Sequence, residues 1–97
     1  MYTLPNEMVT RETISTLRFP SYDVLTTTVE RQQRRWQAER AVTLGNGYQS
    51  KVDIYFQTSD GSTKRIHTTV WASHTEYLSL KSGKALPLRA VLGFDFY

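Results

Sequence analysis

Residues 52–68, Val52-Asp53-Ile54-Tyr55-Phe56-Gln57-Thr58-Ser59-Asp60-Gly61-Ser62-Thr63-Lys64-Arg65-Ile66-His67-Thr68, decide the fold. Val52, Ile54 and Phe56 alternate with Asp53, Tyr55 and Gln57, the two-residue period of a strand with one apolar face. Ile66 and Thr68 alternate with Arg65 and His67 in the same way, and Ser59-Asp60-Gly61 between the runs is turn chemistry. The turn length sets the register. A two-residue Asp60-Gly61 turn puts Phe56 opposite Arg65 and mixes the faces. A three-residue loop, Ser59 to Gly61 with Gly61 left-handed, puts Ile54 opposite Ile66 and Asp53 opposite His67, and keeps one face apolar.

The two-residue period continues to the C-terminus. Val70 and Ala72 alternate with Thr69 and Trp71, Leu78 and Leu80 with Tyr77, Ser79 and Lys81, and Leu86 and Leu88 extend the series. Ser73–Glu76 and Ser82-Gly83-Lys84 separate the runs. Strands are expected near 50–58, 63–72, 77–81, 85–88 and 93–96, with Ile54, Phe56, Ile66, Val70, Leu78, Leu80 and Leu88 in the core. Pro87 lacks a ladder donor and belongs at an edge or bulge.

Upstream the period lengthens. Tyr22, Leu25, Val29 and Trp36 fall on one helical face, Ser21 is a reasonable N-cap, and Gly45-Asn46-Gly47 reads as a stop. A helix near 22–43 follows, with Trp36 as its core anchor. Residues 1–20 form a flanking segment in which Asn6 or Thr10 could cap a short helix. The fold expected is one α+β domain over residues 1–97: a helical segment (21–47) packed on a five-stranded antiparallel meander (50–97), most simply closed as a small barrel that leaves no free edges.

Residues 50–97 resemble the SH3-like and Sm-like small barrels, through "VWASHTEYLSL" (70–80) and the "LRAV" turn (88–91). The resemblance implies a bent five-stranded barrel and, for the Sm-like branch, RNA as a partner. Ala90 stands where that family's turn carries glycine, and the loop 73–76 has His74 and Glu76 but no asparagine to read a base.

Composition narrows the function. A chain of 97 residues is too short for two cores. It has no cysteine, which removes disulfides and thiolate chemistry. The formal charge of +3 comes from twelve basic against nine acidic residues, less than dedicated nucleic-acid binders concentrate on one face. No run is long and apolar enough for a membrane span, and a cytoplasmic protein is the expectation.

Candidate sites are few. In "RQQRRWQAER" (31–40) Arg31, Arg34 and Arg35 are secondary basic candidates, but Glu30 precedes Arg34 by four residues and Arg35 precedes Glu39 by four, so much of the charge is satisfied along a helix. Arg40 one turn beyond Trp36 could cover its ring. Asp53 opposite His67 suggests an oriented base, yet no nucleophile or metal-ligand spacing accompanies the pair, so a cross-strand contact is expected rather than catalysis. His74 and Glu76 are too few for zinc. No cofactor and no metal are expected. Tyr55, Arg65, His67, Trp71 and Tyr77 should alternate onto one outer sheet face. Aromatics with basic groups suit a protein hot spot, a partner or a second copy, ahead of RNA or single-stranded nucleic acid. The alternative is that the helix covers this face and buries Trp71 and Tyr77 against Trp36. A non-catalytic binding domain is the function expected.

Overall fold

The computed structural model describes residues 7–97, in the order β1 (Glu7–Val9), α1 (Arg11–Ile14), α2 (Thr28–Tyr48), β2 (Val52–Gln57), β3 (Thr63–Thr68), β4 (Val70–Ser73), β5 (Tyr77–Leu80), β6 (Ala85–Pro87) and β7 (Val91–Asp95), with 3-10 turns at Lys81–Gly83 and Leu88–Ala90. Asn6 lies outside the described residues.

The hairpin has the register that its apolar pattern requires: Ile54 pairs with Ile66 and Asp53 with His67. Gly61 has a φ of +87°, and the Thr58 N–H donates to Ser62 O while the Gly61 N–H donates to Thr58 O, which makes Ser59–Gly61 the loop. The Asp60 carboxylate accepts from Thr58 Oγ1 at 2.6 Å and from the Ser62 N–H at 3.0 Å. These bonds hold its pKa down at about 2.

The strands do not form a five-stranded meander, and no barrel closes. There are two antiparallel-rich sheets, ordered β1-β3-β2-β7 and β4-β5-β6. Three features break the expected closure. The chain turns at Thr69, so β3 and β4, almost continuous in sequence, serve different sheets. The edge of β3 is taken by β1, which pairs in parallel with Glu7 against Lys64 and Val9 against Ile66. Finally, α2 lies against both β4 and β7. Its side chains take backbone carbonyls there: Asn46 Nδ2 donates to Trp71 O, Arg35 Nη2 to Thr75 O just beyond β4, and Arg34 Nη1 to Val91 O of β7. A covering helix protects an edge as a further strand would.

The helix is Thr28–Tyr48 and not 22–43. Thr27 caps it, its Oγ1 accepting from the Glu30 N–H at 3.1 Å. Residues 18–25 are strapped down instead: the Ser59 N–H donates to Arg18 O, the Val24 N–H to Arg89 O, and Arg89 Nε to Pro20 O. Asp23 caps its own turn by accepting from the Leu25 N–H at 2.8 Å. At the other end Gly45-Asn46-Gly47 continues the helix, and Gln49 ends it in the left-handed region at φ 54°. Gly45 is a contact notch: a Cβ there would stand 2.3 Å from Val70 O.

The buried face of α2 is Arg34, Ala38, Ala41 and Gly45. Small residues let the helix approach the sheets closely. Trp36, expected in the core, is 63% exposed, and Tyr22 and Val29 are exposed too. The core lies between the sheets and the helix. Ile54, Phe56, Ile66, Val70, Leu78, Leu80 and Leu88 are all buried in it as expected, joined by Val52, Leu86, Val91 and Phe94. No helix among the described residues is long and apolar enough to cross a membrane.

Candidate functional site

The five residues expected on one outer face fall on two. The chain changes sheet at Thr69, so Tyr55, Arg65 and His67 stay on the four-stranded sheet, while Trp71 and Tyr77 move to the three-stranded one.

On the first face the polar groups satisfy one another. Asp53, buried, accepts from His67 Nδ1 at 2.8 Å and lies 3.8 Å from Arg65 Nη1. Tyr55, also buried, donates to Asp95 Oδ2 at 2.9 Å. Burial pushes its phenol pKa up and the Asp95 carboxylate adds to that, against the opposing hydrogen bond from Arg65. The ring of Tyr97 stands in solvent, but its hydroxyl bonds to Asp53, which together with desolvation pushes its pKa up to about 12. The same ring meets His67 edge to face at 5.4 Å. The His67–Asp53 contact is thus the cross-strand pair that the register required. The neutral Tyr97 hydroxyl is no activated nucleophile. Among the described residues no group of three or more His, Asp or Glu could hold a metal ion. Asp95 and Tyr97 were not apparent in the sequence, because they join this cluster only through the pairing of β7 with β2.

The arginines of 31–40 are tied to the fold. Arg34 is 5% exposed and makes a two-pronged contact to Asp23, Nη1 to Oδ1 at 2.8 Å and Nη2 to Oδ2 at 2.7 Å. Arg31 donates through Nε to Leu25 O at 2.8 Å and lies 3.5 Å from Asp23. Arg35 holds Thr75 O. Arg40 covers Phe96, 4.9 Å from the ring centre, rather than Trp36. The expected ion pairs of Arg34 with Glu30 and of Arg35 with Glu39 are thus replaced by tertiary contacts. Burial pushes the Asp23 carboxyl up, but the hydrogen bonds from Arg34 and the Leu25 N–H and the charges of Arg34 and Arg31 outweigh it, so its pKa is lowered.

The second face is open. Trp71 and Tyr77 are 46% and 41% exposed, and α2 does not bury them against Trp36. Pairing between β4 and β5 shifts between Val70 and Ala72, so Trp71 is the extra residue of a β-bulge. Bulges re-aim side chains, and this one is pinned because Trp71 O accepts from Asn46 at 3.2 Å. Ala72, Ser79 and Ala85 pair in a row across the three strands, and Tyr77 pairs with Pro87 in the next row. Small side chains therefore form a shallow floor between Trp71 and the Tyr77–Pro87 wall. Tyr77 is held in turn by stacking on His74 at 4.3 Å, and His74 Nε2 lies 3.1 Å from Ser79 Oγ. The two-residue period of 70–80 carried the signal for Trp71 and Tyr77, but the row of small residues needed the register of β6.

Comparison with known proteins finds no matching family model, no similar curated protein and no similar solved structure.

Proposed function

We propose that this chain is a non-catalytic interaction domain that takes a protein partner on the outer face of β4-β5-β6. The observation that carries this reading is Trp71, held outward by a pinned bulge in a domain whose core is already filled. A rigid, half-exposed indole beside a half-exposed tyrosine is the composition of a binding hot spot. Three strands of three or four residues make a small face. It suits a short extended segment better than a globular partner. Single-stranded nucleic acid has less support, because Arg31, Arg34 and Arg35 all serve internal contacts.

The test is selection from a displayed peptide library against the intact protein, followed by titration of the enriched peptides against Trp71→Ala and Tyr77→Ala. Truncating a hot-spot aromatic should weaken binding by about 2 kcal/mol or more. Both side chains are half-exposed, so the variants should remain folded. Peptides that bind the variants as well as the parent, or no enrichment at all, refute the assignment. Sedimentation velocity over a range of concentrations separates a second copy of the chain from a foreign partner.

A further inference from the structure

A cavity of about 450 Å³ opens at the end of the four-stranded sheet, where β1 passes into Thr10, β3 ends and β2 begins. Neither Trp71 nor Tyr77 of the proposed peptide face lines it. Three groups able to carry positive charge line it from three separate segments: Lys51 before β2, His67 in β3 and Lys81 after β5. Neither lysine has an ion-pair partner among the described residues. Among the described residues Glu12 is the one carboxylate on the wall, so with both lysines charged their lining is net positive. Asp53 engages His67 at Nδ1 and leaves Nε2 as the nitrogen available to a ligand.

Thr68 also lines this cavity. It is 2% exposed and its Oγ1 is buried with no hydrogen-bond partner. Thr68 pairs with Val52 and points to the core face, opposite His67, so its hydroxyl is closed off from the cavity. Met8 and Val9 supply an apolar stretch of wall. The volume lies in the range of small-molecule sites, about 300–1,000 Å³, and a bare oxyanion would leave most of it empty.

From these features we infer that the cavity binds a small organic phosphate monoester: Lys51, Lys81 and His67 face the phosphate, and the organic group lies against Met8 and Val9. Lysine provides charge without geometric demand, which suits a phosphate, whose acceptors point in several directions.

Phenyl phosphate, inorganic phosphate and phenol are the probes, titrated at constant ionic strength and followed by amide chemical shifts of the full chain. Phenyl phosphate should shift the amides of Met8, Thr10, Lys51, Thr68, Thr69 and Lys81 along a saturating curve, at lower concentration than either partial probe. Lys51→Ala combined with Lys81→Ala, two exposed positions, should weaken it at least about tenfold, the loss of charge-assisted contacts. Thr68→Val should leave the affinity for phenyl phosphate unchanged and the melting temperature equal or higher, because it removes an unpaired hydroxyl that the ligand does not reach. Shifts that do not saturate, unchanged affinity in the double lysine variant, or inorganic phosphate binding as tightly as phenyl phosphate would overturn the inference. So would an oligonucleotide that shifts these amides where phenyl phosphate does not.

Discussion

Replacing Gly45 by alanine should destabilise this protein, although the same change two residues later should stabilise it. In an exposed helix interior, Gly→Ala gains up to about 1 kcal/mol because the unfolded chain loses freedom and the helix gains propensity. Gly47 has nothing within 4 Å of a built Cβ, so Gly47→Ala should gain about 0.5–1 kcal/mol. At Gly45 the new methyl meets Val70 O at 2.3 Å and Thr69 Cγ2 at 2.9 Å. The nearest atom is backbone and cannot rotate away. Either α2 lifts from β4, weakening the Asn46 and Arg35 bonds to the sheet, or the strand shifts. Overpacking of this kind costs about 1–3 kcal/mol. Because the clash is with main chain, the upper half of that range applies, which after the propensity gain leaves a net loss of about 1–2 kcal/mol. Urea denaturation followed by far-ultraviolet circular dichroism should separate the two variants by about 1.5–3 kcal/mol, and their melting temperatures by roughly 6 °C or more. A Gly45→Ala variant as stable as Gly47→Ala would refute the close seating of the helix on β4.

Further outcomes follow from the core and the charged contacts. Leu80, 2% exposed, should cost about 2–5 kcal/mol when changed to alanine; a loss below about 1 kcal/mol would mean that β5 is flipped. Asp23→Asn should cost about 3 kcal/mol, because it leaves Arg34 charged and buried; the partial exposure of the carboxylate keeps the figure at the low end of what broken buried pairs cost. Since the folded pKa of Asp23 is lowered, its contribution is present above the ordinary carboxylate pKa and is lost as pH falls through the lowered value, so the acid limb of a stability profile should flatten in Asp23→Asn. Tyr97 should titrate near pH 12 by phenolate absorbance, and Asp53→Asn should bring it down towards the ordinary tyrosine value. Because that pKa is raised in the folded state, stability from this group is intact below about pH 10 and falls as pH rises through 12.

The strands were legible because each carries one buried face, which makes the two-residue period strong and a one-residue slip costly. Ile54 against Ile66 and Asp53 against His67 could therefore be read from the hairpin alone. The helix was misplaced because its inner face is Arg34, Ala38, Ala41 and Gly45, which an apolar stripe does not reveal. Tyr22, Leu25, Val29 and Trp36 have helical spacing, but the first two precede the helix, and Val29 and Trp36 face away from the core. Gly45 read as a stop because glycine is usually used for its conformational freedom, whereas here its missing side chain matters. β1 left no signal, since three residues are too few for a period and its partner lies far along the chain. The five candidate residues were expected on one face, and their division between two sheets was not legible. Which face each one shares depends on the turn at Thr69 and on the pairings of β6 and β7, all long-range facts.

The parallel pairing of Glu7 with Lys64 has a kinetic consequence. The hairpin β2–β3 closes through three residues and can form early, whereas β1 must wait until α2 and the hairpin are in place before its partner strand exists. Loop closure over that span is costly and is offset by only a three-residue ladder, so β1 should dock last in folding and open first in the native state. Amides of β1 and of the β3 edge facing it should exchange with solvent well before those of β2, which is flanked on both sides by β3 and β7. Met8 and Val9 also wall the cavity at this end of the sheet. Opening of one short strand would therefore remove a wall of that cavity.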